Sequence, residues 1–588
     1  MLGGVIAVLL CLPLVSPRLP AGGAAAATGG LCGVVLLSAV AALAFGDTAA
    51  AGVPIGLGLS GGVLALDPLA AWFMLAIALT GLASAGWGTR WLPGLLATAM
   101  LTVLAGDTGT ALIGLAGFTA FCGANRSGVV GVLLAALALA ALSMGTGSAF
   151  AAIRLLPPEG WRALAVLVFL LAGLLLAGWG GPFRRLASGQ GGSVIAFALG
   201  PIVIGALVCR VVLELSGPAT PSWWGVPLLL SGAAVACGGA GYGLRAASFH
   251  AVLAGLAALH AGWILAGAGV VAVARAADLL PLATLAGGGL LLQVLNLALS
   301  GSLACLAADA ASRGAGSQSL DRLGGLANGM KIAASGILVA GWSLAFLPPS
   351  AGFASFWMLL QALFIAIRLG GFALHLVVAV TTLALIASAA LGGAAMVRLG
   401  ATAFLGRPRT PRAAAADEAS RPERITLLAL SGLAVVAGLF PGLIVRLANP
   451  AQQWLTRAQM EGQSGWTGLQ TQQGAPGYVP LAVALLAAAV VAGLLAWRRR
   501  LPGTQVIALW QDGFAAPPPW MPFGDPATQA TPSSLAAMLP RRSFTLPWPR
   551  LRLRWEADWP ALPSGAGAAM LLALAVVLLL VVLLFGPP

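Results

Sequence analysis

FALHLVVAVTTLALIASAALGGAAMV, residues 372–397, contains no Asp, Glu, Lys or Arg. An α-helix needs about 20 apolar residues to cross the hydrocarbon of a bilayer, so this run exceeds the requirement. Runs of the same kind recur at Asp67–Trp87, Ser127–Phe150, Ser193–Leu215, Leu279–Ala308, Ile425–Leu447, Val479–Trp497 and Ala566–Phe585. The apolar residues are continuous and do not alternate with polar ones, which favours helices over the strands of a barrel. With the weaker runs between them, about 14–16 spans are expected.

Composition agrees. Apolar residues make up 60% of the 588, charged residues 8%, and mean hydropathy is +0.98. No water-exposed globular surface could be built from such a chain. The class is all-α integral membrane protein. Met1–Ser16 lacks a basic start and a cleavage site and is expected to be the first span.

The net charge of +14 does not point to nucleic acid, because the basic residues stand singly between apolar runs or cluster where helices end. Arg498, Arg499 and Arg500 close the Val479–Trp497 run and place that junction in the cytoplasm by the positive-inside bias. The expected organisation is a transmembrane bundle over 1–405, a polar loop at 406–424, further transmembrane helices at 425–498, a proline-rich extramembrane connector at 499–564 and a last span at 565–588. In the connector, Arg541, Arg542, Arg550, Arg552 and Arg554 interleave with Trp548, Trp555 and Trp559, a pattern suited to an anionic membrane surface, the favoured reading, or to a partner subunit.

Cofactor chemistry has no foothold here. Cys11, Cys32, Cys122, Cys209, Cys237 and Cys305 are scattered through apolar runs without C-x-x-C spacing. No P-loop, Rossmann fingerprint, H-E-x-x-H or G-x-S-x-G motif occurs. No cofactor, metal or catalytic residue is expected in this chain.

Asp107, Arg210, Glu214, Arg275, Asp278, Asp309, Arg313, Arg368 and Arg398, with His250, His260 and His375, lie in or beside spans. A charge at mid-bilayer costs about 2.5–3.5 kcal/mol on insertion scales, so each needs a partner. Arg210 with Glu214 and Asp309 with Arg313 are four apart and can pair on one helix face. Arg275 and Asp278 are expected to pair at a helix end. Gly239 and Gly243, also four apart, permit close helix packing.

Five stretches in order carry a family resemblance: QVLNLALSGSLACLAAD at 293–309, LDRLGGL at 320–326, FLPPSAGFASFWMLLQALF at 346–364, FLGRPRT at 404–410 and GLFPGLIVRL at 438–447. They resemble the antiporter-like membrane subunits shared by respiratory complex I, Mrp-type cation/proton antiporters and membrane-bound NiFe hydrogenases. LWQDGF at 509–514 is similar to a motif of the hydrogenase-4 and formate hydrogenlyase branch. The resemblance implies inverted five-helix repeats with broken helices, consistent with interruptions near Gly200-Pro201 and Pro348-Pro349.

It also implies a mid-membrane chain of ionisable residues, which this sequence largely lacks. The family's glutamate beside a tryptophan falls at Leu115–Ala116, its first broken-helix lysine at Ile202, two histidines and a lysine at Gln293, Leu297 and Gly301, and a further glutamate at Phe356. The lysine of the second broken helix becomes Arg398, whose guanidinium stays protonated and cannot readily relay a proton. The remnant ion-path candidates are Arg398, Arg210, Glu214, His260, His250 and Asp107. The resemblance implies a structural membrane-arm subunit in a bacterial inner membrane, bound to other membrane subunits and a peripheral redox arm. Iron–sulfur, NiFe or quinone sites would then lie in those partners. An alternative is an active proton or sodium translocator with a rewired path.

Overall fold

The computed structural model describes residues 20–500 and Leu12, apart from 47, 54–61, 88–91, 123–125, 145–147, 156–159, 175–195, 216–221, 368, 459–465 and 470–476. The expected first span, Arg368, the proline-rich connector beyond its first two residues and the last span lie outside the described residues.

Helices account for nearly all of the described chain. α1 (Ala21–Phe45) is followed by a hairpin of β1 (Ala49–Val53) and β2 (Gly62–Leu66), antiparallel with Ala49 opposite Leu66. Then come α2 (Pro68–Ala85), α3 (Leu92–Leu104), α4 (Thr108–Phe121), α5 (Arg126–Ser143), α6 (Trp161–Leu174) and α7 (Ala196–Val208), the last passing into a π-helical turn at Cys209–Glu214. α8 (Gly225–Arg245), α9 (Phe249–Ala276) and α10 (Leu280–Asn296) follow. A second π turn, Leu297–Gly301, leads from α10 into α11 (Ser302–Ala315). The rest is α12 (Lys331–Leu344), α13 (Ala351–Ala366), α14 (Phe372–Phe404), α15 (Arg421–Leu439), α16 (Pro441–Thr456) and α17 (Pro480–Arg500). Among the described residues, nine helical segments are long and apolar enough to cross a membrane, and five shorter apolar helices accompany them. The protein is a multi-pass membrane protein.

The core is centred on α9 and the α10–α11 rod, whose most apolar windows are completely buried, whereas α17 is almost entirely exposed. α8 and α9 touch backbone to backbone. Glycines at 225, 232 and 239 on α8 face glycines at 269, 262 and 255 on α9, and a Cβ at Gly262 would come within 2.4 Å of the Gly232 carbonyl oxygen. Gly239 and Gly243 are therefore the end of a longer run of small residues that lets two helices approach closely.

The breaks differ from expectation in two places, at Pro201 and at Arg398, which was expected on a broken helix. Pro201 sits inside α7, which continues unbroken through it. It falls early in the helix and costs a single intrahelical hydrogen bond, and its neighbours Leu199, Ile202 and Val203 are fully buried. The Pro348-Pro349 interruption does separate α12 from α13. α15 and α16 part similarly at Phe440, and a Cβ at Gly438 would meet the Pro349 carbonyl oxygen at 2.8 Å, so the two breaks lie against each other. Arg398 lies in α14, which is continuous from Phe372 to Phe404.

Candidate functional site

The residual charge gathers at the two ends of the bundle, and neutral polar residues occupy its middle. At one end, Asp67 precedes Pro68 and caps α2 by accepting from Ala70 N at 2.8 Å. Its other oxygen accepts from Arg210 Nη1 at 2.6 Å, and the same nitrogen donates to Glu214 at 2.6 Å. Arg154 stands 3.9 Å from Glu214. The expected Arg210–Glu214 pair thus forms, with Asp67 as a third member that the sequence did not announce. Its only local signal was the Asp-Pro of a helix start. A cavity of about 10 Å³, room for about one water, opens beside Arg210 between α2, α3 and α7.

Arg275 does not pair with Asp278. Asp278 takes a left-handed conformation with φ 54° in the turn after α9, and its N–H donates to the Arg275 carbonyl. Arg275 instead donates through Nη1 to the Leu213 carbonyl. The tight reversal turns the carboxylate away, and the orphan carbonyl at the end of the α7 rod takes its place.

Asp107 is held by backbone and side-chain hydrogen bonds. It accepts from Thr110 N at 3.0 Å and Thr110 Oγ1 at 2.5 Å as the N-cap of α4, and from Val63 N at 2.7 Å, which ties α4 to β2.

At the opposite end, Arg313 donates to Asp309 at 2.9 Å, as expected, and also to Glu423 at 2.6 Å. The Trp87 indole N–H donates to Asp309 at 2.9 Å. Glu423 completes a capping box with Ser420 at the start of α15. His250, buried two residues beyond the Ser248 cap of α9, faces Asp309 and Gln318. Arg398 donates to the Gly243 carbonyl at 3.3 Å and to that of Ala246. These are last-turn and C-cap carbonyls of α8, so the guanidinium completes a helix end and complements its dipole.

Between the ends, His260 is fully buried on α9 and its Nδ1 lies 2.6 Å from Gln293 Nε2 on α10. Three residues further, Asn296 Oδ1 accepts from Ser343 Oγ at 2.6 Å, and Ser343 Oγ accepts from Gly352 N across the α12–α13 break. His260 Nε2, Gln293 Oε1 and Asn296 Nδ2 are buried without a protein partner. The remaining positions where the resemblance implies charge are apolar and buried or half-buried. Ile202 and Leu297 are fully buried, Phe356 stacks against Phe346 and Trp263, and a Cβ at Gly301 would lie 2.8 Å from the Phe197 ring.

Chemically, this arrangement offers two buried neutral hydrogen-bonded groups, His260 with Gln293 and Asn296 with Ser343 and Gly352. Among the described residues no group of three or more His, Cys, Asp or Glu could hold a metal ion. The described cysteines carry no disulfide.

Among the described residues, the fold is an apolar multi-pass bundle with a helix break at Pro348-Pro349. Residues 186–385 match the family model described as NADH:quinone oxidoreductase/Mrp antiporter, transmembrane. It is 30% identical over 273 residues to formate hydrogenlyase subunit 3 of Escherichia coli (strain K12), across 46% of this chain and 44% of that protein. It is 29% identical over 234 residues to hydrogenase-4 component B of the same organism, across 40% and 35%. The matched region thus spans less than half the length of either relative. A chain of the membrane-bound sulfane sulfur reductase, an archaeal respiratory membrane complex, superposes with a TM-score of 0.64 at 20% identity over 86% of this chain and 88% of that chain. At that identity the likeness shows the fold alone.

Proposed function

We propose that this chain is a membrane-arm subunit of a multisubunit redox complex of the hydrogenase-4, formate hydrogenlyase or complex I type. It would reside in a bacterial cytoplasmic membrane and serve as scaffold, with redox centres in partner subunits. The observation that carries the scaffold reading is the packed, uncharged middle. Where a proton relay needs groups that take up and release protons, Gly301 abuts Phe197, Phe356 is enclosed by rings and Ile202 is fully buried. The charges that remain are bound into end-of-helix structure.

Mild-detergent purification of the tagged chain tests the first half: co-purifying hydrogenase-like or quinone-reductase-like subunits with iron–sulfur proteins are expected, and recovery of the chain alone contradicts it. In the assembled complex, Arg398→Ala is expected to leave proton pumping nearly unchanged, because Arg398 serves the α8 terminus. A large pumping loss with intact assembly would overturn the scaffold role.

One observation favours the second reading, active translocation. His260, Gln293 and Asn296 each keep a buried polar atom without a protein partner, and such atoms commonly bind ordered water. On that reading His260→Phe abolishes pumping in an assembled complex; on the scaffold reading it does not.

A further inference from the structure

The α12–α13 break puts non-helical backbone, Ala345 to Ser350, inside a membrane bundle, where main-chain polar groups must be buried in protein or line a water-filled space. Local bonds satisfy part of it: Phe346 N donates to Ser343 O, Leu347 N to Trp342 O, and the Trp342 indole to Pro348 O. What surrounds the break is a row of aromatic rings. Phe346 lies 5.0 Å from His260 and 4.9 Å from Trp263, centroid to centroid, and 5.4 Å from Phe356. Phe356 continues to Phe353 at 6.1 Å, and Phe353 to Tyr478 at 4.9 Å. These are contact distances for aromatic pairs. Phe346 holds its place with φ 56°, a left-handed conformation rarely adopted by a bulky residue and retained only where the surroundings enforce it.

We propose that this row is a barrier to water and protons, standing between the polar interior at His260, Gln293 and Asn296 and the segment around Tyr478 that precedes α17. The interior atoms without protein partners would draw water to themselves. The rings form one continuous row beside this group, from His260 through Phe346, Phe356 and Phe353 to the buried Tyr478. The barrier holds on either reading of the chain's function, since a conducting file needs insulation as much as a silent one needs closure.

The test is passive proton leak in proteoliposomes holding the full chain, read as the rate at which an internal pH dye responds to an external acid pulse. The double variant Phe346→Ala/Phe356→Ala is expected to equilibrate at least about tenfold faster than the unmodified chain, as when a hydrophobic constriction is wetted. Phe364→Ala, on the exposed face of α13, is expected to match the unmodified chain. A double variant with unchanged helicity and elution but no faster leak overturns the barrier. Should the double variant fail to insert, Phe356→Ala alone carries the same test, with a faster leak expected and an unchanged one overturning it.

Discussion

Arg210 holds two carboxylates with one nitrogen, and all three side chains are nearly buried. Removing one member of such a group leaves uncompensated charge, which costs about 3–5 kcal/mol, more than the group contributes relative to apolar packing. Arg210→Met is therefore expected to lower the thermal midpoint in detergent sharply, because Asp67 and Glu214 are left facing each other. Adding Asp67→Asn and Glu214→Gln to that background is expected to recover most of the loss. If the single variant unfolds at the same temperature as the unmodified chain, the cluster is not a clamp between α2 and α7. Arg398 and Asp107 belong to the same category, ionic groups that complete helix ends.

At the level of elements, the α8–α9 contact is a close backbone-to-backbone seam. A methyl group at Gly262 would meet Gly232 O at 2.4 Å and Ala236 N at 2.5 Å, backbone atoms that cannot yield by rotating a side chain. Gly262→Ala must therefore push the helices apart and is expected to cost about 1–3 kcal/mol, the usual range for overpacking. Gly400→Ala on α14, with nothing within 4 Å, is the control and is expected to be neutral or slightly stabilising through helix propensity. Equal thermal midpoints for the two variants would contradict the seam. The small-residue spacing of Gly239 and Gly243 was legible in the sequence because it is a local period. So were the spans and the i,i+4 pairs Arg210–Glu214 and Asp309–Arg313. What could not be read is contact across the chain. Asp67 lies 143 positions from Arg210, and Glu423 lies 110 from Arg313, distances over which no periodicity speaks. The π turns at Cys209–Glu214 and Leu297–Gly301 leave no compositional mark. The straight passage of Pro201 depends on neighbours packed around it.

Taken whole, the bundle has two chemically different ends, and the contacts identify which residues share each. Asp67, Asp107, Glu214 and Arg275 meet at one, through the Asp67–Arg210 pair, the Leu64–Ala105 bridge and the Arg275–Leu213 contact. At the other, Ser248 pairs with Ser319, Gly325 N donates to Leu405 O, and Arg313 meets Glu423. Arg245, Arg313, Arg322, Lys331, Arg407, Arg409, Arg412, Arg421 and Arg424 crowd the second end, while Arg154, Arg275 and Arg457 are among the few at the first. The bias of Lys and Arg toward cytoplasmic loops then orients the molecule, with α14 ending and α15 beginning on the cytoplasmic face. A cysteine placed at Arg407, in the exposed loop after α14, is expected to react with a membrane-impermeant maleimide only after cells are opened. One at Asp278, in the exposed turn between α9 and α10, is expected to react in intact cells. The five described native cysteines are buried or half-buried, so their background is low. The reverse labelling pattern would invert the orientation. It would put the Asp67–Arg210–Glu214 cluster on the cytoplasmic side and the basic loops outside, against the charge bias that directs insertion.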